Sequence, residues 1–340
     1  MLRWTTSHHI PFRNFGKNAE ELPKLHSTLI DNNVWLVLSH YSRSELKYKS
    51  RIAVFYTKLH EATQLDEAIL SSVGNNVTDI ASQLDQLYIV TENGYYKYKI
   101  LKLDTKTLIF TDFLDINARL FKGIQIVDNF MYMIAKSDDK TQLLLITIDL
   151  SAKIVERKIL LTGLTTSWDI DFRLRTDNAT FYLFEQVKDI HTVYMIDKDN
   201  QYQLLKMNDT DEGQGIRAKW VNGEGITCLE EKQQTLLRFD KNKWISTPIE
   251  NIRKISEQSL CISSEIVDNK IYGVFLSASR NCIYFSMKVL ELRPKLTDIC
   301  LIQLVDKLSS ERKSTKLRTV LKTLPLPMRP KLTNMIYWRK

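Results

Sequence analysis

The chain has 340 residues, of which 44% are apolar and 10% aromatic, and it contains only 10 glycines and 7 prolines. This composition excludes a disordered or low-complexity chain and predicts one large globular domain or two ordinary ones. The net charge of +8 belongs to the C-terminal end, because residues 286–340 hold 13 Lys or Arg against 4 Asp or Glu while the preceding part holds 35 against 36.

The N-terminal residues 1–17 lack the apolar stretch of a secretory signal, and no run of about 18 apolar residues follows them. We therefore expect a soluble intracellular protein, cytoplasmic or also nuclear, with no membrane partner. Arg3, Arg13 and Lys17 come before the first acidic residue, so a mitochondrial presequence is the alternative that the N-terminus leaves open.

The four cysteines stand singly in the sequence, with no C-x-x-C pair and no histidine at zinc-ligand spacing beside them. We expect buried, reduced thiols, no metal site and no cofactor. The four positions are Cys228, Cys261, Cys282 and Cys300.

Six segments repeat one pattern at intervals of about 45 residues, which is the sign of a repeat architecture. Each segment has a turn rich in Asn, Asp or Gly, then a short apolar strand, then a hairpin and a second apolar strand. The aligned positions are separated by 53, 44, 50, 45 and 45 residues, and they are Trp35, Tyr88, Tyr132, Tyr182, Thr227 and Tyr272.

In four repeats the second apolar strand ends in an aspartate that opens a polar turn. An aspartate suits this place because its carboxylate accepts hydrogen bonds from the backbone N–H groups just ahead of it. We therefore expect these side chains to fix the turns. They are Asp104, Asp149, Asp197 and Asp240.

Short apolar strands, frequent turns and a period near 45 residues together predict a mainly β chain folded as a β-propeller, with about four strands in each blade. We predict six blades over residues 1–291. A seventh could be assembled from the N-terminal 30 residues and the last strand, because many propellers close their ring by combining the two ends. The aligned aromatic residues should pack between blades.

Three residues are candidates for contact with a protein partner at a rim of the propeller: Trp168, Arg217 and Trp220. Local motifs for catalysis are missing, since there is no G-x-S-x-G elbow, no H-E-x-x-H and no glycine-rich phosphate loop. His60-Glu61 and Asp169-Ile170-Asp171 come nearest, and surface or turn roles suit both better. We expect a non-catalytic protein, although a propeller can assemble an active site from distant loops.

After Pro294 the apolar residues change to helical spacing. Steps of three and four place Leu296, Ile299, Cys300, Leu304 and Leu308 on one face of a helix of about 13 residues. Such a helix completes no blade, so its apolar face needs a partner in this chain or in another protein. Residues 292–340 are therefore predicted to form a short helical module of their own.

The pattern of Leu296, Cys300 and Leu304 resembles the elongin-binding box of SOCS-box proteins. About 20 residues later comes a Leu-Pro-Leu-Pro segment followed by two apolar residues, which resembles the cullin box of the same family. The resemblance implies that the first set of residues binds elongin C, together with elongin B, and that the second set binds a cullin. The second set is Leu324, Pro325, Leu326, Pro327, Leu332 and Ile336.

The resemblance further implies a substrate-recognition subunit of a cullin-RING ubiquitin ligase, with the propeller binding an unidentified target protein. Leu-Pro-Leu-Pro favours cullin-5, and cullin-2 stays open. Two alternatives remain: the tail is a purely structural appendage of a propeller scaffold, or the basic tail associates with nucleic acid. Against the second, the basic residues of the tail are scattered and form no long block.

Overall fold

A computed structural model describes the chain as far as Leu292. The described residues are 2–10, 23–42, 47–65, 76–120, 123–139, 141–162, 170–177, 180–187, 190–196, 202–205, 218–221, 226–230, 235–240, 243–250, 259–278 and 283–292. Within these ranges no helix is long and apolar enough to cross a membrane.

The described strands form six antiparallel blades, which confirms the predicted mainly β propeller and settles its number of blades at six. The strands are numbered along the chain from β1 (Leu2–Ile10). Blade 1 consists of β2 (Lys24–Ile30), β3 (Asn33–Ser42), β4 (Lys47–Tyr56) and β5 (Glu61–Gln64), and blade 2 of β6 (Asn76–Gln83), β7 (Gln86–Glu92), β8 (Lys97–Asp104) and β9 (Ile109–Asn117).

The third and fourth blades follow the same plan, with one difference at the inner edge of blade 3. There two short strands, β10 (Arg119–Leu120) and β11 (Gln125–Val127), both pair with the next strand. Blade 3 continues with β12 (Phe130–Lys136), β13 (Gln142–Asp149) and β14 (Val155–Thr162), and blade 4 consists of β15 (Ile170–Asp177), β16 (Thr180–Val187), β17 (Ile190–Ile196) and β18 (Tyr202–Leu205).

The last two blades share strand β1. Blade 5 consists of β19 (Ala218–Val221), β20 (Ile226–Glu230), β21 (Thr235–Asp240) and β22 (Lys243–Glu250). Blade 6 consists of β23 (Ser259–Val267), β24 (Lys270–Ala278), β25 (Ile283–Glu291) and, as its outermost strand, β1. The first strands of the blades contact one another around the ring, so they line the central axis.

Tight turns between the first and second strands account for the Asn and Asp residues at the start of each repeat. In blade 1 Asp31 and Asn32 have φ of 50° and 61°, and in blade 6 Asp268 and Asn269 have φ of 48° and 59°. Two successive residues in the left-handed region are the requirement of a two-residue hairpin turn, and Asn and Asp tolerate that region better than most residues.

The predicted aspartate turns are confirmed in blades 2 and 3. Asp104 Oδ1 accepts hydrogen bonds from the backbone N–H groups of Lys106 and Thr107 at 3.0 and 2.9 Å. Asp149 Oδ1 accepts the corresponding bonds from Ser151 and Ala152 at 2.8 and 2.9 Å. These backbone bonds, with the hydrogen bond that Gln86 donates, lower the pKa of Asp104 to about 2.

The hydrophobic core is divided into six clusters, one between each pair of neighbouring blades. Strand β3 shows how one sequence serves two clusters, because successive side chains of a strand point to opposite faces of the sheet. Leu36 and Leu38 pack toward blade 6, and Trp35 and Val37 pack toward blade 2. Both faces are buried, which explains why the strand is continuously apolar.

The residues aligned in the repeat all lie on the second strand of their blade, opposite the first strand. Five of the six are buried, and Tyr132 is half-buried. The prediction that the aromatic members pack between blades is confirmed, since each belongs to one of the inter-blade clusters. Cys228 and Cys261 are buried, and neither forms a disulfide within the described residues, as predicted.

Strand β1 closes the ring. It pairs antiparallel with β25 from Trp4 to Ile10 and makes two parallel pairs with β22, through Leu2 and Arg3. Leu2 is buried between blades 5 and 6, and Ile10 is buried between blades 6 and 1. The two chain ends are therefore combined within the sixth blade, so the alternative of a seventh blade built from them is wrong.

Leu292 directly follows the third strand of blade 6. In blades 2 and 3 the backbone N–H groups of Thr105 and Leu150, just after the third strand, bond to the carbonyl groups of Asp85 and Asn129, and the chain then turns into the fourth strand. The N–H of Leu292 makes the equivalent bond to Asn269 O at 2.8 Å. In blade 6, however, the place of the fourth strand beside β25 is already filled by β1.

Two histidines meet where the ring closes. The rings of His8, on β1, and His60, in the turn after β4, are stacked with centroids 5.3 Å apart. Burial and the neighbouring His60 charge lower the pKa of His8 from 6.5, and burial and the Lys270 charge lower that of His60. Both sites therefore favour the neutral imidazole.

We expect acid to weaken this closure. Because the folded-state pKa values lie below the unfolded value, the unfolded chain takes up protons first as the pH falls below about 6.5, and the free energy of unfolding declines until the folded-state pKa values are passed. Urea midpoints measured from pH 7.5 to 5 test this. His60→Asn, which keeps a residue suited to the left-handed φ of 57°, should flatten the dependence. His9→Gln should leave it unchanged, and equal slopes in all three proteins would contradict the assignment.

Candidate functional site

A cavity of about 210 Å³ lies on the axis of the propeller, and all six blades contribute to its wall. Its wall includes the six residues that pair, across the first hairpin of each blade, with the aligned residue of the repeat. We call these six the channel ring. They are Thr28, Ala81, Gln125, Arg175, Val221 and Glu265.

Asp79, on β6, ties three blades together beside the cavity. Its Oδ2 accepts hydrogen bonds from the backbone N–H groups of Gly123 and Ile124 in blade 3, at 2.6 and 3.1 Å. Its Oδ1 lies 3.5 Å from Nδ1 of His26 in blade 1 and accepts the N–H of Ile80 at 2.9 Å. Burial opposes ionisation, but the contacts with His26 and Gly123 outweigh it, so the pKa of Asp79 lies well below its usual range.

Glu265, on β23, is almost completely buried, with 2% of its surface exposed. The hydroxyl of Ser27, on β2, donates a hydrogen bond to Glu265 Oε1 and lies 2.5 Å from the hydroxyl of Ser263. These contacts join blade 6 to blade 1 next to the cavity. A carboxylate this deep in the ring is held by hydrogen-bond donors from a different blade.

Two arginines follow each other on one face of β15. Arg175 lines the cavity and keeps part of its surface accessible, and Arg173 lies two residues earlier. In both side chains the Nε atom is buried, with no hydrogen-bond partner among the residues that the structure describes. Burial lowers the pKa of the Arg175 guanidinium, whereas the charges of Asp79 and Glu265 raise it. An arginine remains protonated at neutral pH after such a shift.

Chemically, this arrangement can bind a small polar ligand. Its wall offers the guanidinium of Arg175, the carboxylate of Glu265 and the hydroxyls of Thr28, Ser82 and Thr176. Arg173 and Asp79 lie outside that lining, two residues before Arg175 and Ala81 on their strands. Asp79 is held ionised by its donors, so it cannot give up a proton near neutral pH. Within the described ranges no group of three or more His, Cys, Asp or Glu side chains could hold a metal ion.

The residues predicted from the sequence to contact partners fall largely outside the described ranges. This holds for Trp168 and Arg217 and for the whole tail, which includes Leu296, Ile299, Cys300, Leu304, Leu308, Leu324, Pro325, Leu326, Pro327, Leu332 and Ile336. Trp220 lies on β19, where its backbone pairs with Cys228. This places its backbone on the innermost strand of blade 5.

The repeat alignment contains a pattern from which the residues of the cavity could have been predicted. Counting back seven residues from the aligned aromatic position reaches the channel ring in five blades, and counting back nine reaches His26, Asp79, Gly123, Arg173 and Ser263. In blade 5 the count is six, because Val221 pairs with Thr227. Apart from Ala81 and Val221, these positions hold polar or charged residues or a glycine. The buried positions of an ordinary strand are mostly apolar.

No family model matches this sequence, and no curated protein matches it either. Among solved structures, the chain is similar to an α-L-arabinofuranosidase, Arb93A from Fusarium graminearum, with a TM-score of 0.57 and 10% identity over 83% of this chain and 97% of that one. It is also similar to the β-propeller domain of the trilobed protease from Pyrococcus furiosus, with a TM-score of 0.43 and 11% identity over 80% and 82% of the two chains. At this identity the likeness shows the propeller fold alone.

Proposed function

We propose that this protein is the substrate-recognition subunit of an elongin and cullin-RING ubiquitin ligase, acting in the cytoplasm and also the nucleus. The propeller binds a target protein. Residues 292–340 bind elongin C, with elongin B, and a cullin, either cullin-5 or cullin-2, with its RING protein. The observation that carries the proposal is that β1 already fills the fourth place of blade 6, so the residues after Leu292 are not needed to complete that blade.

The filled edge of blade 6 supports the proposal that the tail binds another protein. Had the fourth strand of blade 6 been missing, residues after Leu292 could have supplied it, and the apolar residues of the tail would be accounted for within the fold. Strand β1 occupies that place instead. The apolar positions of the tail, which follow helical spacing, are therefore left to serve a different purpose.

The predicted helix suits an elongin-type groove. Leu296 and Cys300 are four residues apart and so share one face, with Leu304 one further turn along. An amphipathic helix that lays its apolar face into a groove is a common mode of protein recognition, and burying one leucine is worth about 1.5–3 kcal/mol. The small cysteine fits where a larger side chain would collide with the partner.

The proposed role requires no chemistry from this chain. A substrate receptor accelerates ubiquitin transfer by holding a lysine of the target close to the reactive thioester of the charged ubiquitin carrier that the RING protein brings. This converts a bimolecular encounter into an effectively unimolecular step. The propeller supplies a rigid surface, and the tail fixes its position relative to the cullin.

Affinity purification of the full chain tests the proposal. We expect the wild-type protein to capture elongins B and C and a cullin. A Leu296→Asp, Cys300→Asp double variant should lose all of them, because two carboxylates would have to be buried without partners. Proteins that remain bound to the variant are candidate targets of the propeller.

The matched control places the same charges on the other sides of the helix. A Lys295→Asp, Ser309→Asp variant should capture the elongins as the wild type does. If the wild type brings down no elongin, or if both variants lose it equally, the tail is a structural appendage of a propeller scaffold and the proposal fails.

A further inference from the structure

We propose that the central cavity is a binding site for a carboxylate group, held by Arg173 and Arg175. This inference goes beyond the proposed ligase function and does not depend on it, since it rests on the channel alone. The carboxylate could belong to a free small acid or to the C-terminus of a polypeptide that enters the channel.

Two buried hydrogen-bond donors on β15 have no partner among the described residues. Buried polar groups in folded proteins almost always have partners, so an orphaned donor calls for an explanation such as a bound ion, water or ligand. Arg173 and Arg175 each carry a buried Nε without a partner in the described part of the chain, and both stand on the innermost strand of blade 4. Two such donors side by side indicate a shared acceptor.

The spacing of Arg173 and Arg175 on β15 lets both guanidinium groups reach one carboxylate. Residues two apart on a strand point to the same face, with Cα atoms about 7 Å apart. An arginine presents its donors in a planar fork that matches the two oxygens of a carboxylate, and two forks at this spacing can close on one such group. Arg175 reaches the cavity wall, so the acceptor can approach from the channel.

The charges around Arg175 favour a carboxylate over a phosphate as the ligand. Asp79 and Glu265 both act on Arg175 electrostatically, so two carboxylates already lie near this guanidinium. A phosphate dianion or a nucleic-acid backbone would meet strong repulsion from them in this enclosed place. A single carboxylate adds one charge only, next to the donors that it can satisfy.

The size and lining of the cavity limit the rest of the ligand. A cavity of about 210 Å³ admits a small acid or the last residues of a chain. Beyond the arginines, the wall offers Thr28, Ser82, Gln125 and Thr227 as hydrogen-bonding groups. The ligand should therefore carry further polar groups, such as a hydroxyl or a peptide bond.

Calorimetric titration of the full chain with matched pairs of probes tests the inference. The probes are lactate and lactamide, glycylglycine and its C-terminal amide, and inorganic phosphate. We expect each acid to bind at least about tenfold more tightly than its amide, and phosphate to bind more weakly than the acids. Tighter binding of lactate would indicate a free acid as the ligand, and tighter binding of glycylglycine would indicate a chain terminus.

Variants locate the binding. Arg175→Gln should weaken the binding of the acids about tenfold or more, and Arg175→Lys, which keeps the charge and the fold, should weaken it through loss of the planar fork. Arg238→Gln, on an exposed position of β21, should change nothing. Equal affinities for acid and amide in the wild type, or equal losses in Arg238→Gln and Arg175→Gln, would overturn the proposal.

Discussion

Replacing Gly123 by alanine should destabilise the propeller by about 2–5 kcal/mol. Gly123 has φ of +98°, a conformation that L residues rarely adopt, and a Cβ built there would lie 2.7 Å from both N and O of Leu174 in the next blade. The cost therefore combines backbone strain of about 1–2 kcal/mol with overpacking of about 1–3 kcal/mol against a main chain that cannot rotate away. The bond from Gly123 N to Asp79 Oδ2 fixes the glycine in this place.

The chain offers a matched control for this prediction. Gly94 also has a positive φ, +115°, but a Cβ there would meet nothing within 4 Å. Gly94→Ala should therefore show the backbone strain alone, and urea unfolding of both variants would give the difference. If the two substitutions lower the free energy of unfolding equally, Gly123 is not required for the close approach of blade 3 to blade 4.

Removing residues 1–10 should cost more than about 5 kcal/mol, which is the lower end of the total stability of an ordinary domain. Deletion of β1 leaves β25 as an exposed edge, removes the link between blades 5 and 6, and withdraws Leu2 and Ile10 from two inter-blade clusters. Each of these two side chains is worth about 1.5–3 kcal/mol on burial. We expect the truncated chain to lose its cooperative urea transition.

Deletion of residues 293–340 is the counterpart at the other end of the chain. If the ring is complete at Leu292, this truncation should leave the free energy of unfolding of the propeller unchanged within about 1 kcal/mol. A large loss of stability would show that the tail packs on the blades, which would argue against its role as a separate module. A cooperative transition in the chain lacking residues 1–10 would show that β1 is dispensable.

The repeat was predictable because its marks are local. A tight turn needs residues such as Asp31 and Asn32 that tolerate the left-handed region, and a strand buried on both faces needs a continuous apolar run such as that around Trp35. Both requirements are met within ten residues of sequence, so period, blade plan and core positions could be inferred. Asp104 and Asp149 were predicted from their turns for the same reason.

The closure of the ring could not be predicted in this way. Strand β1 pairs with β25, which is more than 270 residues away, and no local feature of either strand's sequence identifies the other as its partner. The number of blades depended on that pairing, because β1 could have begun a seventh blade as readily as it completes the sixth. Long-range pairing is decided by the geometry of the whole ring.

The candidate site illustrates the same limit for function. His26, Asp79, Arg175 and Glu265 lie about 50 residues or more from one another, and each alone has the appearance of an ordinary polar residue in a strand. Only their equivalent places in the blades bring them together around the axis. The repeat alignment held this information once it was extended back to the first strand of each blade.

The order of synthesis gives the outer-strand closure a kinetic consequence. The ribosome makes β1 long before its partner β25, so β1 stays unpaired while the strands of blades 1 to 5 emerge and the ring is still open. Exposed strand edges of this kind invite aggregation during the delay. Newly made chains should therefore need a chaperone that shields these edges until β1 pairs with β25. The residues after Leu292 belong to a folded protein only once that pairing has formed.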